Sequence, residues 1–235
     1  MNTLTRYELD RSAPTPRQAL RDALVRAGLP ALLLYVVVVG IGLLLTGPLH
    51  GLPAEQGISR ALADGRTPRM DTLTGYGSLA GSTQVIMACT SLALLLLWWR
   101  TRQWWVAVVP AIAVLLELVV FLGAALVVGR PRPDVPQLDA APPTSSYPSG
   151  HTGAATALWL SLALLAGRIR TTWLRVLVTL VCVLVPFVVA YSRLYRGMHS
   201  LTDVLVGFLN GATTAVLAYC YLRRGTSPAA PQTRA

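Results

Sequence analysis

The chain contains no lysine; all 20 of its Lys-plus-Arg positions are arginine. Charge of either sign is scarce. Only 13% of the residues are charged, whereas a soluble domain carries about 25%. Apolar residues make up 54% of the chain and come in long runs, as in an integral membrane protein. No soluble block is long enough to fold by itself, so one domain is expected. The net charge of +10 would suit a nucleic-acid partner. The arginines flank apolar runs instead, so membrane topology accounts for the charge and nucleic acid is not expected as a partner. Cysteine is sparse too. Cys89, Cys182 and Cys220 sit inside apolar runs and read as small hydrophobic residues, not as disulfide partners or zinc ligands. A cleavable signal peptide is not expected: about 28 polar, arginine-rich residues precede the first run, with no small-residue cleavage site after it.

Six apolar runs are present, at about 29–47, 79–99, 104–128, 152–167, 172–191 and 204–222. Each is near the length needed to span a bilayer as a helix, the fourth being the shortest. The expected fold is all-α, a six-helix transmembrane bundle over residues 29–222. Residues 1–28 are expected as a cytoplasmic segment and 223–235 as a disordered cytoplasmic tail. The loop 48–78 contains "PAEQGISRALADGR", whose spacing predicts one short helix on the outer membrane surface. The proline-rich stretch 130–148 excludes a helix. With the N-terminus inside, 13 of the 20 arginines fall in cytoplasmic segments. This places both termini in the cytoplasm of a plasma (inner) membrane, with Trp98, Trp99, Trp104 and Trp105 as interface anchors.

Three polar clusters then fall on the outer side. They are "GRPRP" (129–133), "YPSGHTG" (147–153) and "YSRLYRGMHSLTD" (191–203). Two of the three histidines in the chain, His151 and His199, lie in them. Arginine forks match phosphate oxygens. The start of the fourth helix at Ser149 and Gly150 offers free N–H groups to an anion, and Gly150 lets a ligand approach the backbone. Two histidines can divide phosphoryl transfer, one attacking phosphorus and the other protonating the leaving oxygen. Asp203, four residues after His199, shares its helix face and can hold the reactive tautomer. Zinc fits less well, because the neighbouring arginines repel a cation and no second carboxylate cluster accompanies them.

These clusters resemble the signature motifs of the type 2 phosphatidic acid phosphatase (PAP2) superfamily of membrane lipid phosphatases. Pro148, Ser149, Gly150 and His151 match its P-S-G-H motif. Ser192, Arg193, His199 and Asp203 match every fixed position of its third motif. The resemblance covers roughly residues 75–220. It implies His199 as the nucleophile that becomes phosphorylated, Asp203 as its orienting partner, and His151 as the acid for the leaving group and then the base for water. It implies Arg132, Ser149, Gly150 and Arg193 as the phosphate cradle, and no metal or other cofactor. The implied partners are the bilayer and a lipid phosphate or pyrophosphate: a polyprenyl pyrophosphate, phosphatidylglycerophosphate or phosphatidic acid. A phosphotransferase and a catalytically silent lipid-binding or transport protein are the alternatives. The first motif departs from the family pattern. A lysine is expected seven residues before the R-P arginine, but Ala125 precedes Arg132 at that spacing and Gly123 precedes Arg130. Arg130 or Arg196 is expected to supply the missing charge.

Other polar residues read more plainly. Glu117, within the third run, is expected to be protonated or hydrogen-bonded in a structural role. His50, Arg69, Asp71, Asp134 and Asp139 are expected on solvated surface. Gly207 and Gly211 form a G-x-x-x-G suited to close helix packing.

Overall fold

The computed structural model describes residue 10 and residues 12–49, 52–140 and 144–223, and among these it is all-α. Helix α1 (Pro16–Ala23) starts on a capping box. Thr15 Oγ1 accepts from the Gln18 N–H at 3.3 Å, and Gln18 Oε1 accepts from the Thr15 N–H at 3.0 Å. One wider, π-helical turn (Leu24–Gly28) carries the chain into α2 (Leu29–Thr46). Pro30 follows that turn and lacks the N–H that would bond the carbonyl four residues back. Pro16–Thr46 is therefore one 31-residue helical rod. The first helix begins well before Leu29, inside the stretch 1–28 expected as a cytoplasmic segment. Its start is tied to the other end of the described chain, where Arg223 Nε meets Asp22 Oδ2 at 2.6 Å.

The loop 48–78 does not form one surface helix. It forms two, α3 (Pro53–Asp64) and α4 (Pro68–Ala80), each with proline at its first position. Thr67 caps α4 by accepting from the Met70 N–H at 3.3 Å. Glu55 and Ser59 of α3 are buried, as are Thr74, Gly77 and Ser78 of α4. The polar faces of both helices thus find partners in the protein, not only in water. His50 lies outside the described residues, as does the chain beyond Arg223.

Helix α5 (Thr83–Thr101) turns at Arg102, whose φ of 56° is left-handed, into the short α6 (Trp104–Ala107) and then α7 (Val109–Val128). The proline-rich stretch after it is irregular. Then come α8 (Gly150–Ala166), α9 (Thr172–Tyr195) and α10 (Leu201–Cys220). Among the described residues, five stretches are long and apolar enough to cross a membrane: 16–46, 83–101, 104–128, 172–195 and 201–220. The remaining one of the six expected spans, the fourth, is α8, which has 17 residues and is shorter. It is nonetheless the centre of the bundle, with α7, α9 and α10 packed around it. Small residues make this possible. A Cβ on Gly207 would lie 2.7 Å from the Ser149 carbonyl oxygen, and one on Gly211 would meet the Gly153 carbonyl and lie 2.6 Å from the Thr156 Cβ. The G-x-x-x-G of α10 is the surface on which α8 lies.

The outward faces are apolar. Leu33, Leu95, Leu126 and Phe187 each leave more than half of their surface exposed. Such a belt around several long apolar helices belongs to an integral membrane protein.

Candidate active site

The three polar clusters meet at one end of the bundle. Helix α7 stops at Gly129, whose φ of 60° is the left-handed geometry that ends helices. The chain leaves as an extended Arg-Pro-Arg-Pro segment. It is pinned by the Ser146 N–H donating to the Arg130 carbonyl at 2.8 Å and by the Arg130 N–H donating to Ser145 Oγ at 3.0 Å. This brings Ser145 and Ser146 beside the segment and sets the start of α8 against the start of α10. The Ser149 N–H donates to the Asp203 carbonyl at 2.9 Å.

His199 is buried, and its Nδ1 lies 2.7 Å from the Ser146 carbonyl oxygen. A carbonyl only accepts, so Nδ1 carries the proton and Nε2 keeps its lone pair. Burial and then the charges of Arg193 and Arg132 push the His199 imidazolium well below the usual histidine range. The neutral, nucleophilic form is therefore the resting one at pH 7. In a 13C-histidine NMR titration, the His199 ring should stay neutral as pH falls through 6.5. A midpoint near 6.5 would show an ordinary solvated imidazole.

Asp203 reaches His199 only indirectly, its Oδ2 lying 4.0 Å from Nδ1. The carboxylate accepts from Ser146 Oγ at 2.6 Å, from the Ser200 N–H at 2.8 Å and from Arg130 at 2.6 Å. It positions the histidine by fixing Ser146, whose carbonyl is the direct partner. Arg130 is turned away from the histidines. Its guanidinium also donates to Thr202 Oγ1 and to Glu55 Oε2, both at 2.7 Å. Glu55 accepts in turn from the Thr202 N–H at 2.5 Å. An acid from helix α3 thus closes a buried network that ends at Asp203.

Arg193 donates to Ser78 Oγ at 2.6 Å and to Asp139 Oδ2 at 2.7 Å, while its buried Nε has no partner. Arg196 donates to Asp139 Oδ1 at 2.8 Å and to the Leu138 carbonyl at 3.0 Å. Asp139 is therefore not simply solvated. Partial burial works to raise its carboxyl, but hydrogen bonds from Arg196 and Ser78 and the charge of Arg193 outweigh this and hold it below the usual carboxylate range. Asp71 is likewise engaged, accepting from the Tyr195 hydroxyl at 2.9 Å. Asp134 and Arg69 stay exposed. Arg132 donates to the Met198 carbonyl at 2.7 Å.

A cavity of about 290 Å³ opens beside these groups. Its lining combines the polar side chains of Arg132, Arg193, His151 and His199, with Gly150 at the first turn of α8, and the apolar side chains of Ile86, Met87, Val114, Leu118 and Phe121. Gly150 serves packing as well as access, since a Cβ there would lie 2.8 Å from the Phe121 ring. Ser149 is buried, with its hydroxyl 3.0 Å from Thr152 Oγ1, and it does not line the cavity. Neither do Arg130, Arg196 and Ala125. Among the described residues, no group of three or more His, Cys, Asp or Glu side chains converges to hold a metal ion.

Sequence reasoning missed Glu55, Ser146 and Asp139. Glu55 stands in the first turn of α3, where an acid is an ordinary helix feature. Ser146 meets His199 through its backbone carbonyl, which leaves no side-chain signal. Asp139 sits among prolines with no periodic pattern around it.

Fold and site together define a helical membrane protein with a histidine pair and arginines gathered at one end of its bundle. Residues 104–227 match the PAP2 superfamily model, and the chain belongs to that superfamily. Two solved structures are similar. One is a transmembrane PAP2-type phosphatidylglycerolphosphate phosphatase from Bacillus subtilis, with a TM-score of 0.69 and 19% identity, covering 83% of this chain and 95% of that one. The other is LpxE from Aquifex aeolicus, with a TM-score of 0.57 and 23% identity, covering 69% of this chain and 93% of that one. At these identities the likeness concerns the fold.

Proposed function

We propose that this protein is a membrane lipid phosphatase that hydrolyses a phosphate monoester or terminal pyrophosphate of a lipid through a phosphohistidine on His199. The observation that carries this is one cavity lined both by arginines and histidines and by apolar side chains of α5 and α7. A soluble phosphate ester has no use for the apolar wall.

In the first step, His199 Nε2 attacks phosphorus. The bond from phosphorus to the lipid oxygen breaks, and His151 gives its proton to that oxygen. In the second step, His151 takes a proton from water, whose oxygen attacks phosphorus. The bond from nitrogen to phosphorus breaks, freeing inorganic phosphate and restoring His199. Arg132 and Arg193 hold the phosphoryl oxygens, and the orphan Nε of Arg193 gains its missing acceptor. The N–H groups of the first α8 turn, from Gly150, add to this cradle. Arginine charge supplies the stabilisation a metal would otherwise give, so the reading invokes no metal.

The chain crosses the bilayer six times, with α8 as the short central crossing, both termini cytoplasmic and the site outside. Polyprenyl pyrophosphate, phosphatidic acid and phosphatidylglycerophosphate are the substrates this reading admits. The last is the substrate in the name of the Bacillus subtilis relative.

The test is purified protein on a panel of lipid phosphates without any acceptor alcohol. Release of free phosphate supports the hydrolase, transfer only to an added alcohol supports a phosphotransferase, and no turnover leaves a lipid-binding protein. Topology has its own check. A cysteine at the exposed Gln137 should react with a membrane-impermeant thiol reagent in intact cells. Protection until the membrane is broken would invert the orientation.

A further inference from the structure

Glu117 lies in α7 and lines the same cavity, but the two chemical steps make no use of it. Its side chain is almost wholly enclosed, at 1% exposure. Asn210 of α10 fixes it, with Nδ2 donating to Glu117 Oε1 at 3.2 Å and to its backbone carbonyl at 3.2 Å. Gly153 of α8 leaves the space that the carboxyl fills. The expected structural role is thus present, but only one of the two carboxyl oxygens is engaged by Asn210. Val114, Leu118, Phe121, Ile86 and Ala154 line the same cavity. Among the described lining residues it is the single acid.

Its depth is informative. Phe121 packs on Gly150 and Glu117 packs on Gly153, so the two contacts step down α7 and α8 together. Gly153 is two residues beyond His151, about 3 Å further along the helix axis. A phosphate held between His151 and His199 therefore places the next few bonds of the substrate at the level of Glu117. Hydrocarbon pressed against a carboxyl leaves that group unsatisfied, which is costly in a water-poor cavity. A hydroxyl at that level would satisfy it by donating, and an ester oxygen would accept from the protonated carboxyl O–H.

We propose that Glu117 is a specificity-determining residue. It hydrogen-bonds a polar backbone group of the substrate just inward of the scissile phosphate, and so selects a glycerol-type lipid phosphate over a phosphate on a pure hydrocarbon chain. This rests on the phosphatase reading. It narrows the substrate class, and it demotes polyprenyl chains, whose first carbons offer nothing to bond.

The test compares three phosphate monoesters in mixed micelles: diacylglycerol 3-phosphate, hexadecyl phosphate and a polyprenyl phosphate. All three present the same head group and differ in the chain attached to it. The wild-type kcat/KM should favour the diacylglycerol ester by about tenfold or more, because a site built for a hydrogen bond discriminates against analogues lacking it. In Glu117→Leu that ratio should fall toward one. Glu117→Gln, which keeps a donor and an acceptor, should retain part of it. Equal wild-type kcat/KM on all three overturns the inference and needs no variant, so a misfolded Leu protein does not block the test. A uniform fall on all three in a folded Glu117→Leu also overturns it, leaving a structural residue. Wild-type protein inactive on every ester but active on a polyprenyl pyrophosphate overturns the inference alone, and inactivity on that pyrophosphate as well defeats the phosphatase reading itself.

Discussion

Replacing His199 with alanine should reduce kcat for lipid-phosphate hydrolysis by at least about 10⁴-fold, a loss typical of removing a covalent nucleophile. The fold should survive, because the His199 ring makes one hydrogen bond, to the Ser146 carbonyl. That carbonyl can accept from a water molecule entering the vacated space. The informative measurement is the covalent intermediate. Wild-type protein mixed with 32P-labelled substrate and denatured at alkaline pH should retain label, and His199→Ala should retain none. His151→Ala should still label with a substrate whose leaving group needs no proton, and should then release phosphate slowly. Its second step lacks the base that activates water. Label on His199→Ala would move the nucleophile to another residue.

Asp203→Ala should cost stability as well as activity. The Asp203 side chain is 0% exposed and that of Arg130 is 6% exposed, and they meet at 2.6 Å. Removing one partner of a buried ion pair costs about 3–5 kcal/mol, because the other charge is left behind. Glu55 still faces Arg130 at 2.7 Å, so the low end of that range applies. Ser146 Oγ and the Ser200 N–H lose their acceptor too. The thermal midpoint in detergent should fall by of order 10 °C. The triple variant Asp203→Ala with Arg130→Met and Glu55→Gln should recover much of the midpoint, since it removes all three buried charges together, but not the turnover. Asp203→Ala as stable as wild type would mean that Glu55 alone satisfies Arg130. Recovery of turnover in the triple variant would show that Asp203 has no part in positioning His199.

Much of this was legible in the sequence, for identifiable reasons. The apolar runs located the helices because a bilayer imposes length and composition on any segment that crosses it. Gly207 and Gly211 announced the α8–α10 contact because only small residues permit that approach. His151, His199, Arg132 and Arg193 were nameable as cavity residues because their motifs have fixed spacing. What failed was everything set by long-range contact in irregular chain. Arg130 was expected to stand in for the lysine absent at Ala125, yet it faces Asp203 and Glu55 across 73 and 75 positions of sequence. Arg196 was expected in the same role and instead clamps Asp139. Asp139 itself looked solvated because nothing local marks it. The pairing of Asp203 with His199 was read from their four-residue spacing, but the loop carrying Ser146 inserts between them. The start of the first helix was misplaced because polar, arginine-rich composition hid a capping box at Thr15.

Helix α5 has one consequence of its own. It supplies Ile86 and Met87 to the cavity, yet Ile86 is its single buried residue. Little protein holds it in place. Its outer surface must be wetted by hydrocarbon, so acyl-chain packing and bilayer thickness set the lateral pressure on one wall of the chamber. The surrounding lipid is thus a component of the pocket, and a micelle and a vesicle give the same polypeptide differently braced chambers.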